Sequence, residues 1–435
     1  MKTMRKMIWV LVFFVNASLA TAQQRQKGFY KDLFMDSGMM LTSRVDLWAA
    51  RLADFTIESF VSTPHSYTDK FAFTDADTLL QSQLIGGSAL DENGILLYPD
   101  GAPRFRAVYM NGGRAKAHGT SLGEQGRANY RTFVANGGGY VGSCAGAFIA
   151  SLGTKLPDKE AAPNDMYLGI WPGYTTGTGL EKSWTDVVIE PNSPLLRYYR
   201  FGGRMTIDSV RHNGGCYGNM TFLCPVGTEV LARYSTPGGE PKRPIIGEPV
   251  VWAYKASEQA GRIVLCGSHP EDAVEGPRLE LTAAMLKYAM DGVGKPTVKG
   301  ELKNGEERRM TCYTHDKRPA YTRIGDKQYH HFTVEVPEGT DTLKITLKPT
   351  EGLGHFDLYL FADSRQLAFK DEAEHCDLHP GIGKLLPIVR PKAGTLYVSV
   401  FCDTTVEARQ TRYGTQYSGR LDVLNGVPYA IRVDF

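Results

Sequence analysis

The hydrophobic period of this chain changes near residue 292, and that change divides it into two units of different fold class. Before it, short apolar runs suited to strands alternate with segments whose apolar residues repeat at helical spacing. Leu33-Phe34-Met35 reads as a strand, residues 43–52 as a helix with Val45, Leu47, Trp48 and Leu52 on one face, and residues 56–61 as a strand. The rhythm continues with a strand at 105–110 that stops at Asn111-Gly112-Gly113, a helix at 124–136 closed by Gly137, a strand at Tyr140-Val141 and a helix at 145–151. Strand pieces at 186–189, 228–232, 250–254 and 263–266 follow. A helix at 277–291 ends the unit, with Pro277 in its first turn and Leu279, Ala283, Leu286 and Met290 at helical spacing. This alternation predicts an α/β domain on a mainly parallel sheet. Residues 293–309 are polar and read as a linker or lead-in strand. Beyond them the period is two: Phe332/Val334/Val336, Leu343/Ile345/Leu347, Phe356/Leu358/Leu360, Leu396/Val398/Val400 and Tyr429/Ile431/Val433 alternate with polar residues. That pattern predicts an antiparallel β-sandwich over 310–435.

Within the first unit a strand runs into Gly142-Ser143-Cys144-Ala145-Gly146 and then a helix, the form of a nucleophile elbow with Cys in place of Ser. Small neighbours permit the sharp turn. The sulfur falls at a helix N-terminus, where the dipole favours thiolate, and the Ala145 N–H points toward a developing oxyanion. With 47 Gly in 435 residues, Gly at both positions two residues away from one of seven cysteines arises by chance in roughly one sequence in ten, so its placement between strand and helix gives the pattern its weight. The second element is Ile263-Val264-Leu265-Cys266-Gly267-Ser268-His269-Pro270-Glu271, an apolar strand whose end delivers a histidine. Pro270 resists helix, so His269 and Glu271 are expected to be extended and to project to one side, the carboxylate orienting the imidazole. Arg211 and His212, within Val210-Arg211-His212-Asn213-Gly214-Gly215-Cys216-Tyr217, are candidate contacts for an anionic substrate, as are Arg114 and His118 just after the glycine turn. A structural turn with a disulfide at Cys216 is the competing explanation for the 210–217 segment.

Lys2, Arg5 and Lys6 precede an apolar stretch at 7–15 and the small-x-small pattern Ala20-Thr21-Ala22, so residues 1–22 read as a signal peptide. The mature chain is expected to be extracytoplasmic, periplasmic or secreted. The apolar stretch is shorter than the roughly 20 residues that span a bilayer, so no stable membrane anchor is expected. Removing the leader takes the 49 Lys and Arg to 46 against 47 Asp and Glu, and neither that balance nor any basic run suits nucleic acid. Seven cysteines in an exported chain allow up to three disulfides and leave at least one thiol unpaired. Cys216 with Cys224, and members of the set Cys312, Cys376 and Cys402, are the candidate pairs. No His/Cys/Asp cluster has metal-ligand spacing and no phosphate loop occurs, so no metal and no cofactor are expected.

The Gly-Ser-Cys-Ala-Gly elbow followed far downstream by Ser268-His269-Pro270-Glu271 resembles the Cys-His-Glu triad of class I glutamine amidotransferases. Asn111-Gly112-Gly113, the run from Gly137 to Ala147 and the His-Pro-Glu segment resemble more closely the amidotransferase-like N-terminal domain of eukaryotic biotin-protein ligases, over residues 30–292. The resemblance implies a flavodoxin-like, parallel-sheet domain with Cys144 as nucleophile, His269 as general base and acid, and Glu271 as its orienting partner. It also implies that the Gly112-Gly113 turn supplies an oxyanion donor beside Ala145. Through Phe356-Asp357-Leu358-Tyr359-Leu360 and the run from Ala393 to Val400, the C-terminal region resembles the pre-peptidase C-terminal β-sandwich domains of secreted bacterial hydrolases.

Glutamine amidotransferases deliver ammonia to a synthetase. Here the Cys domain is joined to a β-sandwich in a chain expected to be exported, so no ammonia-accepting synthetase is expected, and no ligase domain follows. What remains is attack of a thiolate on a small amide or peptide, giving an acyl-enzyme that water hydrolyses. The alternative class is a binding module at the cell surface or in the periplasm that keeps the elbow without turnover.

Overall fold

The computed structural model describes residues 29, 31–36, 47–60, 85–239, 244–350, 355–411 and 414–435. The leader at 1–22, the first part of the helix predicted at 43–52 and Val61 lie outside them.

The first unit is built on a nine-stranded sheet. Its strands are β1 (Lys31–Asp36), β2 (Ile57–Phe60), β3 (Phe105–Met110), β4 (Gly139–Ser143), β5 (Ser183–Ile189), β6 (Thr206–His212), β7 (Glu229–Tyr234), β8 (Pro249–Tyr254) and β9 (Ile263–Cys266), in the order β2-β1-β3-β4-β9-β8-β7-β5-β6. The five strands β2-β1-β3-β4-β9 run parallel. Counted among themselves they have the 2-1-3-4-5 order of a flavodoxin-like sheet. The other four are added antiparallel, so the parallel core expected from the sequence is extended into a mixed sheet. Neighbouring antiparallel strands close through hairpins and short loops and need no helical crossover, which is why the helical rhythm of the sequence lapses between 156 and 262.

Helices α1 (Trp48–Leu52) and α4 (Gly276–Met290) cover one face of the sheet, where Leu33, Met35, Ala107, Tyr109, Val141 and Val264 are buried. Helices α2 (Ala115–Ala135) and α3 (Ala145–Ala150) cover the other, over Phe34, Val108, Met110, Tyr140, Ile263 and Leu265. Burial on both faces explains why β3 and β9 are continuous apolar runs without alternation. Helix α2 begins nine residues before the start predicted at 124, with non-helical backbone at Gly123 (φ 65°, ψ −179°) between its two parts.

The second unit is a two-sheet sandwich. Its strands are β10 (Val298–Glu301), β11 (Glu307–Met310), β12 (Tyr329–Val336), β13 (Thr342–Pro349), β14 (Leu358–Asp363), β15 (His375–Asp377), β16 (Lys384–Val389), β17 (Gly394–Cys402) and β18 (Tyr429–Asp434). The sheets are ordered β10-β12-β17-β14-β15 and β11-β18-β13-β16. The predicted alternating residues, from Phe332 to Val433, form the core between them. Residues 293–309 carry the lead-in strands β10 and β11, which extend the two sheets, and β10 pairs with β12 in parallel, unlike the remaining strand pairs of the sandwich. A hairpin of Val406–Thr411 and Gly414–Gly419 leaves the sandwich and reaches β2 at the edge of the large sheet, where the Tyr417 hydroxyl donates to Glu58 at 2.5 Å.

Candidate active site

β4 ends at Ser143 and α3 starts at Ala145, which leaves Cys144 at the corner with φ 48° and ψ −104°. A non-glycine residue persists there only when its surroundings over-determine it, at a cost of about 1–3 kcal/mol. The Cys144 N–H donates to the Cys266 carbonyl at 2.8 Å, and the Cys144 carbonyl accepts from the N–H groups of Ala147 and Phe148 at 3.0 and 3.1 Å. The flanking glycines are dictated by packing. A Cβ on Gly142 would lie 2.5 Å from the Gly146 carbonyl oxygen, and one on Gly146 would lie 2.1 Å from that of Met110. The Tyr140 hydroxyl donates to the same Gly146 carbonyl at 2.8 Å.

β9 lies parallel beside β4 with Cys266 opposite Ser143, so the residues after the two strands emerge side by side at the carboxyl edge of the sheet. Gly267-Ser268 leads from there to His269, whose N–H donates to the Arg211 carbonyl at 2.9 Å. Pro270–Asp272 is a 3-10 turn, and this corrects the extended geometry expected for His269 and Glu271. Proline's fixed φ suits the first position of such a turn. The turn folds the Glu271 carboxylate back onto the imidazole two residues earlier, Oε1 accepting from Nδ1 at 2.8 Å. Both side chains are buried, Glu271 at 1% exposure and His269 at 7%. Burial alone would depress the His269 pKa; the charge of Glu271 and the nearby Cys144 sulfur outweigh it and hold the pKa well above its ordinary value. Gly112 packs against this ring so closely that a Cβ there would stand 2.1 Å from His269 Cε1.

The structure thus brings Cys144, Ala145, His269, Glu271 and Gly112 together. The other candidates divide. Gly113, with φ 144°, turns away from His269 and meets His118, which is fully buried and held neutral, its pKa lowered to about 4 by burial. Arg114 is exposed at the start of α2. Arg211 is half-exposed and shares Asp272 with Arg278, at 3.7 and 3.6 Å. Burial, helped by the charge of Glu271, raises the Asp272 pKa.

His212 is corrected: it is the last residue of β6, buried, with Nε2 on the Thr185 hydroxyl at 2.9 Å and Nδ1 on the Gly214 carbonyl at 3.3 Å. Its pKa falls to about 4 through burial, so it is a neutral core histidine rather than an anion ligand. The disulfide reading is corrected with it, since all seven cysteines are free thiols. Cys216 is buried in the short strand Cys216–Gly218 while Cys224 is exposed, so strand pairing and burial hold that turn without a cross-link. Burial pushes the Cys266 thiol up to about 12 and raises that of Cys216 well above its ordinary value, keeping both protonated.

One neighbour escaped the sequence reading. Tyr109 is buried in β3 with its hydroxyl 2.9 Å from that of Ser143, and burial together with the charge of Glu271 keeps its phenol protonated. An aromatic in an apolar strand reads as core, and only its neighbours in space mark it.

Among the described residues no cluster of three or more His, Cys, Asp or Glu is arranged to hold a metal ion, and no helix is long and apolar enough to cross a membrane.

Residues 101–314, just under half of the chain, match the family described as biotin-protein ligase, N terminal. That span contains both the elbow and the His-Pro-Glu turn. No curated protein matches the chain. Among solved structures, a glutamine amidotransferase is 20% identical over 42% of this chain and 79% of its own, with a TM-score of 0.28. A Thermoplasma acidophilum protein provisionally assigned to GMP synthase is 11% identical over 60% of this chain and 94% of its own, with a TM-score of 0.33. A β-galactosidase from Bacillus circulans sp. alkalophilus is 14% identical over 68% of this chain and 33% of its own, with a TM-score of 0.25. Similarities this low carry no argument about activity.

Proposed function

From a chain whose residues 101–314 carry the likeness to the N-terminal, amidotransferase-like domain of biotin-protein ligases, we propose an extracytoplasmic cysteine hydrolase that cleaves a small amide or peptide through an acyl-enzyme. The observation that carries the reading is the strained Cys144 corner beside a buried His269 whose Nδ1 is taken by Glu271 at 2.8 Å. With Nδ1 engaged, Nε2 is the nitrogen that exchanges a proton with substrate. In the acylation step the Cys144 thiolate forms a bond to the carbonyl carbon, and the oxyanion is received by the Ala145 N–H and the Gly112-Gly113 turn. Collapse breaks the carbon–nitrogen bond, and the amine leaves with the proton of the His269 imidazolium. Neutral His269 then takes a proton from water, whose oxygen attacks the thioester and releases acid and thiolate. The leader composition at 1–22 supports export, and the half-exposed Arg211 beside His269 is a candidate contact for an anionic group of the substrate.

The test is amine release from an amide and peptide library by the purified chain lacking residues 1–22. Cys144→Ser and His269→Ala should each lose about a thousandfold or more of kcat/KM. Equal turnover by wild type and Cys144→Ser removes Cys144 from the mechanism. Absence of turnover by all three, with iodoacetamide labelling of Cys144 indifferent to His269→Ala, selects the binding module instead.

A further inference from the structure

The two glycines of the Asn111-Gly112-Gly113 turn are each pressed against an imidazole. On one side the His269 ring occupies the space a Gly112 Cβ would need; on the other, His118 Nε2 lies 2.7 Å from where a Gly113 Cβ would stand. The Gly112–Gly113 peptide is therefore clamped between the His269 ring and a second ring outside the Cys-His-Glu set. His118 is itself immobilised. It is fully buried in the first turns of α2, and the next residue, Gly119, is pressed so close to Met166 that a Cβ there would lie 1.8 Å from the Met166 carbonyl oxygen. The Gly119 carbonyl accepts from Arg127 Nη1 at 2.6 Å, which ties the two halves of α2 across Gly123.

We propose that His118 is a positioning residue that braces the Gly112-Gly113 turn and so holds in place the oxyanion donor that the hydrolase reading assigns to that turn. The proposal rests on the hydrolase reading of Cys144 for its catalytic consequence, but the brace is a property of the resting protein. An oxyanion hole works because its donors need no reorganisation when charge develops, so a loosened turn costs rate without touching the nucleophile.

Two reactions at the same sulfur separate these contributions. Alkylation by iodoacetamide needs the thiolate and develops no oxyanion, whereas acylation by p-nitrophenyl acetate needs both. In His118→Ala, acylation should fall roughly a hundredfold while alkylation stays within about twofold of wild type. His118→Gln, which reaches to a similar distance with a polar end, should recover at least about a tenth of the wild-type acylation rate. Rates that fall in step, or an unchanged acylation rate, overturn the proposal. Should wild type be alkylated yet never acylated, the hydrolase reading fails and the brace is judged by amide hydrogen exchange of the peptide spanning 110–114. Exchange about tenfold faster in His118→Ala supports it, and unchanged exchange overturns it.

Discussion

Glu271 does two separable things to His269: it accepts the Nδ1 hydrogen bond and it supplies a negative charge. Burial works against the protonated ring, and the Glu271 charge with the Cys144 sulfur overcomes it, so the ring keeps its proton through neutral pH and loses it only as pH rises through the elevated pKa. Glu271→Gln retains an acceptor and removes the charge. The His269 pKa then falls, and the alkaline limb of kcat/KM for amide or ester cleavage should move to lower pH by about one unit or more, with kcat/KM at pH 7 down roughly ten- to a hundredfold. A limb that does not move assigns it to a group other than His269. At this scale the sequence was informative where partners are neighbours: His269 and Glu271 are two residues apart, and the Cys144 elbow is a local pattern. It misled where partners are remote. His212 stands in a Gly-rich stretch, yet its ring is claimed by Thr185, 27 residues away across β5 and β6. A free thiol does not by itself single out Cys144, because every cysteine is free. What distinguishes Cys144 is its corner, beside a ring that carries a charge.

Between elements, glycine decides how closely a helix start can approach the sheet. Gly146 lets α3 close on the end of β3, where a Cβ would lie 2.1 Å from the Met110 carbonyl oxygen, and backbone cannot swing aside as a flexible side chain can. Gly146→Ala should cost about 2 kcal/mol or more in chemical denaturation and abolish the fast alkylation of Cys144. Gly177, in the strand Tyr174–Gly177, has only ordinary contacts around its virtual Cβ, the nearest at 3.8 Å, and Gly177→Ala should stay within about 1 kcal/mol of wild type. Equal losses in the two variants would show that the cost is generic to glycine replacement rather than to the elbow. The same residue type limited what the sequence showed of helices. The helix expected from 124 left out the first half of α2, where Gly119 and Gly123 interrupt the helical pattern, although Gly119 is there because the Met166 carbonyl leaves no room for a side chain. Strand β16 was hidden for the opposite reason. Leu386 and Ile388 face the core while Leu385 and Val389 are 58% and 69% exposed, so both faces are apolar and the alternation does not register.

Over the whole molecule, the switch in period near 292 marked two units, but nothing in the local pattern showed how they are joined. The join is ionic and buried. Arg104, just before β3, has no exposed surface; its Nη1 donates to Asp91 at 2.6 Å, its Nε lies 3.4 Å from Asp326, and its Nη2 donates to the Leu424 carbonyl at 2.8 Å, 320 residues along the chain. Asp326 and Leu424 belong to the sandwich side, so one guanidinium holds two carboxylates and a carbonyl across the boundary. Burial pushes the Asp91 pKa up to about 6 against the pull of Arg104, which shows how poorly that carboxylate would tolerate the loss of its partner. The boundary is also crossed by hydrogen bonds from the Glu92 N–H to Asn425 at 2.8 Å and from the Ser59 N–H to Thr415 at 2.9 Å, and by an ion pair between Lys299 and Asp100. Arg104→Met keeps the volume and strands two buried charges, a loss of about 3–5 kcal/mol, and the α/β unit and the sandwich should then unfold in separate calorimetric transitions. Restoring neutrality with Asp91→Asn and Asp326→Asn in the same chain should recover most of that loss, because the penalty comes from unpaired charge rather than from missing attraction. A single transition at the wild-type midpoint in Arg104→Met would place the coupling in the other contacts across the boundary, such as Tyr417 with Glu58 and Lys299 with Asp100, and would remove the Arg104 cluster from any account of why the two units behave as one.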